Sequence, residues 1–342
     1  MHDDELPTDA ALIRRLLVAQ FPQWADLTIE PVRGEGTDNA MYRLGDALAV
    51  RAPRRPGAVA GIEREQAWLP RLAPLLPLPL PLPAAMGAPG EGYPWPWSVC
   101  RWLEGETLAP EWADARLAAD LAGFIRSLQA VDASEAPRGF NQGRGAPLSR
   151  WRATIAERLG WLADLHNIGA ITAAWEADAA APAWAGEPVW LHGDLSAGNL
   201  LARDGRLSGV IDWGLLGAGD PACELQVAWS LLDAAGRAAF QNAIVVDAAT
   251  WTRGRAWGLA MGVLNVSYYP GDRRSRLARH RGCAGRPRGA DFSRAAVRSG
   301  RVRGLSPHGR RNACKIRSGS GRGLCAGDGR VRGGAGAAVA RL

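Results

Sequence analysis

Lysine is almost missing from this 342-residue chain: of its 41 basic residues only Lys315 is a lysine, and the rest are arginine. A Walker-type loop, which ends in Gly-Lys-Ser/Thr, is therefore excluded, and any phosphate bound here must be met by arginine or by backbone. Cysteine is scarce and scattered. Cys100, Cys223, Cys283, Cys314 and Cys325 form no Cys-x-x-Cys pair and no dense framework, which excludes a zinc ribbon or disulfide scaffold and fits a reducing compartment. Long apolar runs are also absent. The nearest to the ~18 residues of a membrane span, LPLPLPLPAAM, is broken by prolines. The N-terminus, MHDDELPTDA, is acidic where a secretory leader is basic. A cytoplasmic location is expected, with no membrane partner.

What is present is enough apolar material, 47% of the residues, for a sizeable core in one or two domains. The net charge of +7 is the sum of two unlike parts: residues 271–342 hold 18 Arg and one Lys against three Asp, while the remainder holds 22 basic and 31 acidic residues. The body is thus acidic. All 15 tryptophans fall before residue 258, and beyond Gly271 the text becomes Arg/Gly/Ala/Ser runs without helical or strand periodicity. Three readings of that tail compete. It is disordered by composition; or it is an RG-rich nucleic-acid arm, against which stands Phe292 as its sole aromatic; or it is a frameshift product of a GC-rich gene. The third explains the composition best, and translating the other frames past the codon for Pro270 tests it. No nucleic-acid partner is expected apart from that arm.

Within the body, the apolar spacing predicts a helix over Thr8–Gln20 and three strands, Thr28–Val32, Ala40–Leu44 and Ala47–Ala52. Gly45-Asp46 joins the last two. The glycine loop Gly34-Glu35-Gly36-Thr37-Asp38 joins the first pair and reads either as an ordinary hairpin or as backbone laid over a phosphate. EREQAWLPRLAPLL predicts a helix carrying Glu63 and Glu65, and WSVCRWLEGETL a strand leading into a connector near Glu104–Thr107. From about residue 105 the chain turns helical, with WADARLAADLAGFIRSLQAVD, LSRWRATIAERLGWLADLHNI and PACELQVAWSLLDAAG as amphipathic helices.

The stretch VWLHGDLSAGNLL places His192, Asp194 and Asn199 between apolar runs. It is followed by short strands, Leu200–Ala202 and Leu207–Ile211, around an Asp204-Gly205 turn. That hairpin returns Asp212 to the neighbourhood of Asn199 and Asp194. Hard oxygen donors gathered in this way suit Mg²⁺ shared with substrate phosphates.

His192-Gly193-Asp194-x4-Asn199, Ile211-Asp212-Trp213-Gly214 and Gly219-Asp220-Pro221-Ala222-x-Glu224-Leu225, in this order, resemble the aminoglycoside phosphotransferase-like small-molecule kinases, relatives of the protein kinases. The resemblance spans roughly residues 25–270. It implies an α+β, two-lobed protein-kinase-like fold: a nucleotide-binding lobe over 1–103 built on a small antiparallel sheet, a larger, mostly helical lobe over 104–270, and the 271–342 tail. By it Asp194 is the catalytic base, Asn199 and Asp212 are Mg²⁺ ligands, and His192 braces the loop. Asp220 becomes a buried brace accepting backbone N–H bonds in the catalytic loop. Gly34, Gly36, Thr37, Arg51, Glu65, Arg101, Trp102 and Leu103 contact ATP or GTP.

Two departures stand out. Arg51 occupies the strand position where the family offers lysine to the α- and β-phosphates, with Glu65 its expected partner and Glu63 the runner-up. GVLNVSYYPG reads as the start of the family's last helical segment, yet the tail follows at once. The acceptor is expected to be a small-molecule hydroxyl. Glu104, Glu106, Asp164, Glu176 and Asp178 agree with a cationic, aminoglycoside-like molecule, while abundant tryptophan suits a macrolide. The alternative function is an inactive nucleotide-binding pseudokinase or regulatory module.

Overall fold

Asp9 opens the first helix: its carboxylate accepts the Leu12 N–H at 2.7 Å, so α1 runs Ala10–Gln20 and starts later than Thr8. The computed structural model describes residues 6–32, 38–108, 114–137, 143–162 and 168–268. Gly34, Gly36, Thr37, Asp164 and the 271–342 tail lie outside the described residues. After α1 come β1 (Ile29–Pro31), β2 (Asn39–Leu44) and β3 (Leu48–Pro53), then α2 (Val59–Leu72), β4 (Pro83–Gly87) and β5 (Trp97–Arg101). They form an antiparallel sheet in the order β1-β2-β3-β5-β4.

Strand alternation divides this sheet by face. Tyr42, Leu44, Leu48, Val50, Trp97 and Val99 join Ile13, Leu16 and Leu17 of α1 in one core. The intervening Met41, Ala49, Arg51, Ser98 and Cys100, matched in register as Met41↔Arg51↔Ser98 and Ala49↔Cys100, belong to the opposite face. The prolines of LPLPLPLPAAM do not prevent a strand, because β4 lies at the sheet edge, where a missing N–H costs no ladder bond.

The second half holds β6 (Glu106–Thr107), α3 (Ala115–Gln129), α4 (Arg152–Gly160), α5 (Ile168–Ala179), β7 (Val189–Leu191), β8 (Leu200–Arg203), β9 (Arg206–Val210), β10 (Gly217–Gly219), α6 (Val227–Ser230), α7 (Ala234–Ile244) and α8 (Ala248–Tyr268). β7 pairs with β10, and β6-β8-β9 form a second small sheet. A second, larger core fills this half, with Phe124, Trp175, Trp190, Trp213, Phe240 and Trp257 among its members, and it takes in Leu69 and Leu72 of α2 as well. The architecture is therefore a small antiparallel-sheet lobe and a larger, mostly helical one.

Two expected elements differ. PACELQVAWSLLDAAG is not one amphipathic helix: Pro221–Gln226 is a 3₁₀ segment leading into the short α6, and every residue from Pro221 to Trp229 is buried. A segment covered on all sides has no polar face to display, and apolar spacing alone could not reveal that. GVLNVSY does not begin a helix among the described residues: it continues α8, which starts back at Ala248.

Candidate active site

The β7 strand delivers His192, Gly193 and Asp194 into a loop that closes at β8. Gly193 has φ +85°, and a side chain there would meet the Leu215 carbonyl oxygen at 2.7 Å, so the tight passage requires glycine. His192 is fully buried. Its Nδ1 accepts the Asp194 N–H at 3.2 Å, so the proton sits on Nε2, which donates to the Ile211 carbonyl at 3.0 Å. Burial holds its pKa below the ordinary histidine value, partly offset by the nearby Asp194 charge, so the ring is neutral at pH 7. It packs edge-on against Trp213 with ring centroids 4.7 Å apart. A neutral imidazole with both nitrogens committed is a brace between the Asp194 loop and the Asp212 segment.

Asn199 lies on the short turn entering β8. Its amide donates to the Asp194 backbone oxygen at 2.9 Å and to Asp194 Oδ2 at 3.2 Å, which aims the side-chain carbonyl away from Asp194. The β8–β9 hairpin then returns the chain, and the Ile211 N–H bonds the Asn199 carbonyl at 3.0 Å. Asp212 follows in the left-handed region, φ 61° and ψ 67°, a conformation that asparagine and aspartate tolerate better than most residues.

Arg51 of β3 reaches this point from the other lobe. Its Nη1 bonds both oxygens of Glu65 on α2, at 2.5 and 2.6 Å, and its Nη2 bonds Asp212 Oδ1 at 2.8 Å. Burial opposes the guanidinium's charge, but Glu65 and Asp212 outweigh it and hold Arg51 protonated. Glu65, not Glu63, is thus the partner. Helix α2 is fixed to the same segment by Arg64, which donates to the Gly214 carbonyl.

The donor set fits Mg²⁺. The Asn199 carbonyl and the carboxylate of Asp212, whose side chain is 49% exposed, are hard oxygens at a solvent-open point. Among the described residues no cluster of three or more His, Cys, Asp or Glu could hold a metal, so an ion here would need water and substrate phosphates to complete its shell.

Two small apolar groups stand apart from the main cores. Ala49, Cys100 and Trp102, with Val32 and Met41 against them, form one on the inner sheet face; Leu103, Leu201 and Ile211 form the other beside the Asp212 segment. Arg101 pairs through its N–H with Leu82, and Trp102 with Ala47, so the connector leaves β5 in register with its neighbours.

A family model described as the phosphotransferase enzyme family matches residues 28–257. The chain belongs to that family. Aminoglycoside 3'-phosphotransferase from Escherichia coli is 33% identical over 125 residues, covering 33% of this chain and 42% of that protein. The chain therefore spans under half the length of this curated relative. The GDP complex of wild-type aminoglycoside 2'-phosphotransferase-IIIa superposes with a TM-score of 0.63 at 17% identity, covering 81% of this chain and 97% of the other. Macrolide 2'-phosphotransferase MphH from Brachybacterium faecium, an apoenzyme, gives 0.53 at 22% identity over 80% and 98%. These two structures share the fold.

Against the pattern expected of the family, the structure reassigns one brace. Asp220 accepts no bond from the catalytic loop; it caps its own turn through the Ala222 N–H at 2.9 Å and forms a buried two-point ion pair with Arg253 of α8, at 2.7 and 3.1 Å. Glu224 holds the loop instead, accepting the Gly193 N–H at 2.8 Å. The reason is reach: the 3₁₀ turn after Asp220 carries Glu224 beneath the loop, where burial pushes its carboxyl up to about 7. Arg144 was also not anticipated. Its Nη2 lies 3.6 Å from Asp194 Oδ1, and only its place in an otherwise unassigned loop, far from every motif, concealed it. The acids expected to greet a cationic acceptor are largely engaged: Glu104 with Arg43, Glu176 with Arg152, and buried Asp178 with Arg255.

Proposed function

We propose that this chain is a small-molecule kinase that transfers the γ-phosphate of ATP or GTP to a hydroxyl of an aminoglycoside-like or other small-molecule alcohol. The observation that carries the reading is the convergence at one cleft of Asp194, Asn199 and Asp212 with Arg51, itself fixed by Glu65. Phosphoryl transfer needs positioning, charge neutralisation and an aligned nucleophile, and these groups supply each.

In this reading the acceptor hydroxyl lies against Asp194, whose carboxylate is 41% exposed and oriented by the Asn199 amide. The acceptor oxygen bonds the γ-phosphorus as the bond from that phosphorus to the β–γ bridging oxygen breaks. The nucleoside diphosphate leaves with that oxygen, and the hydroxyl proton passes to Asp194. Arg51 faces the α- and β-phosphates. Gly34, Gly36 and Thr37 supply the loop over them, and Arg101, Trp102 and Leu103 with the two small apolar groups receive the base. Asn199 and Asp212 would hold Mg²⁺, which when bound neutralises phosphate charge. Aminoglycosides enter as acceptors through the names of the relatives, since the engaged acids give them no independent support.

Transfer of labelled phosphate from ATP and from GTP to a panel of aminoglycosides, macrolides and simpler alcohols tests the proposal. Asp194→Ala is expected to lower kcat by about 10²–10⁴-fold. Nucleotide binding without transfer to any acceptor would favour the regulatory-module reading instead.

A further inference from the structure

Arg144 combines features that the catalytic scheme above leaves unused. Its side chain is 14% exposed, and its Nη2 lies 3.6 Å from Asp194 Oδ1, close enough for attraction but beyond hydrogen-bond length. Its Nη1 is directed at the Met261 sulfur on α8, a weak acceptor, and its Nε is buried with no hydrogen-bond partner. A guanidinium carries five donors, so this one is far from satisfied. Glu224, the other acid within its electrostatic reach, spends one oxygen on Gly193, and its second oxygen is buried without a partner.

The other cation of the cleft is in the opposite condition. Arg51 is bonded to both Glu65 oxygens and to Asp212, and Lys315, the sole lysine of the chain, lies in the tail. Among the described residues the site therefore has one cation committed to the phosphate-anchoring side and one under-used cation beside the carboxylate that receives the acceptor hydroxyl. A transferring phosphoryl group spreads negative charge over its equatorial oxygens and passes next to that carboxylate.

We infer that Arg144 is a further catalytic residue, the cation that meets the transferring phosphoryl group beside Asp194. This rests on the kinase reading. Planar, forked donors suit phosphoryl oxygens, and a preorganised charge at the point where charge develops is an effective form of stabilisation. An arginine serving only as the Asp194 counter-ion would be expected to make closer, paired hydrogen bonds with it.

The test is equilibrium binding of a non-hydrolysable β,γ-imido triphosphate and of the diphosphate, both with Mg²⁺, to the full chain and to Arg144→Gln. The variant is expected to lose about tenfold or more in triphosphate affinity, and less than about twofold in diphosphate affinity, with kcat lowered by about 10²–10³-fold. Equal losses for both nucleotides, or no loss for either, would overturn the inference. If Arg144→Gln does not fold, Arg144→Met, whose unbranched chain fills the same space beside Met261, carries the same comparison. A wild-type chain that binds neither nucleotide would instead sink the kinase reading itself.

Discussion

Glu224 shows how much a single buried carboxylate can decide. It supports the Asp194 loop through the Gly193 N–H, yet burial holds its carboxyl at about 7 against an ordinary value of 4.5. Between these values the folded chain keeps a proton that the unfolded chain releases. Stability contributed by this site is therefore complete below pH 4.5 and falls as pH rises toward 7, by about 3 kcal/mol for a shift of this size. Histidine His192 works in the reverse sense, since its lowered pKa favours folding as pH climbs toward the ordinary value, but it is common to both proteins in a comparison. Glu224→Gln keeps an acceptor for Gly193 and abolishes the titration. Wild type is expected to lose stability relative to Glu224→Gln as pH rises from 5 to 7.5, measured by urea unfolding at each pH, and a pH-independent difference would contradict the assignment. At this scale the sequence was most legible where spacing is local. His192, Asp194 and Asn199 lie within eight residues, and the hairpin brings Asp212 back to them. The roles of Glu224 and Arg144 depend on which turn lies under which loop, and neither periodicity nor spacing encodes that.

Among the elements, the short β7–β10 pair that launches the catalytic loop is the most tightly specified. Gly219 of β10 passes so close to Gly145 that a side chain on it would sit 2.6 Å from the Gly145 carbonyl oxygen and 2.8 Å from its Cα. Both obstacles are backbone and cannot rotate away. Gly219→Ala is expected to cost about 1–3 kcal/mol and to reduce activity by displacing the loop. Gly123 is the contrasting case: it lies exposed inside α3 with nothing within 4 Å of a would-be side chain. Gly123→Ala should stabilise by about 0.5–1 kcal/mol, and denaturant unfolding of the two variants would test the contrast directly. The β8–β9 hairpin could be read from Asp204-Gly205, which both adopt positive φ, 52° and 73°, as its turn requires. β7 and β10, three residues each, are too short for alternation to register, and β10 consists only of glycine and alanine.

Across the whole molecule, α2 ties the sheet lobe to the larger core through Leu69 and Leu72 and through Trp68 against Trp190, while at the Asp212 segment itself polar contacts also cross: Arg51 to Asp212, and Arg64 to the Gly214 carbonyl. Ligand binding between the two lobes should show as stability. A nucleotide at about 100 times its Kd adds roughly 2.7 kcal/mol if it binds only the folded chain. Asp212→Asn separates the energetic roles of this junction. In the absence of ligand it weakens an ion pair whose acid is 49% exposed, where solvent screening limits the loss to about 1 kcal/mol or less. With ligand it removes a charged oxygen donor from the place where Mg²⁺ would join the nucleotide phosphates. The unliganded melting midpoint of Asp212→Asn should thus lie close to that of wild type, while the Mg²⁺-dependent part of the nucleotide shift disappears. If the variant instead kept the full Mg²⁺-dependent shift, Asp212 would be an interlobe strut and not a metal ligand, because a strut alone has no reason to respond to the divalent ion.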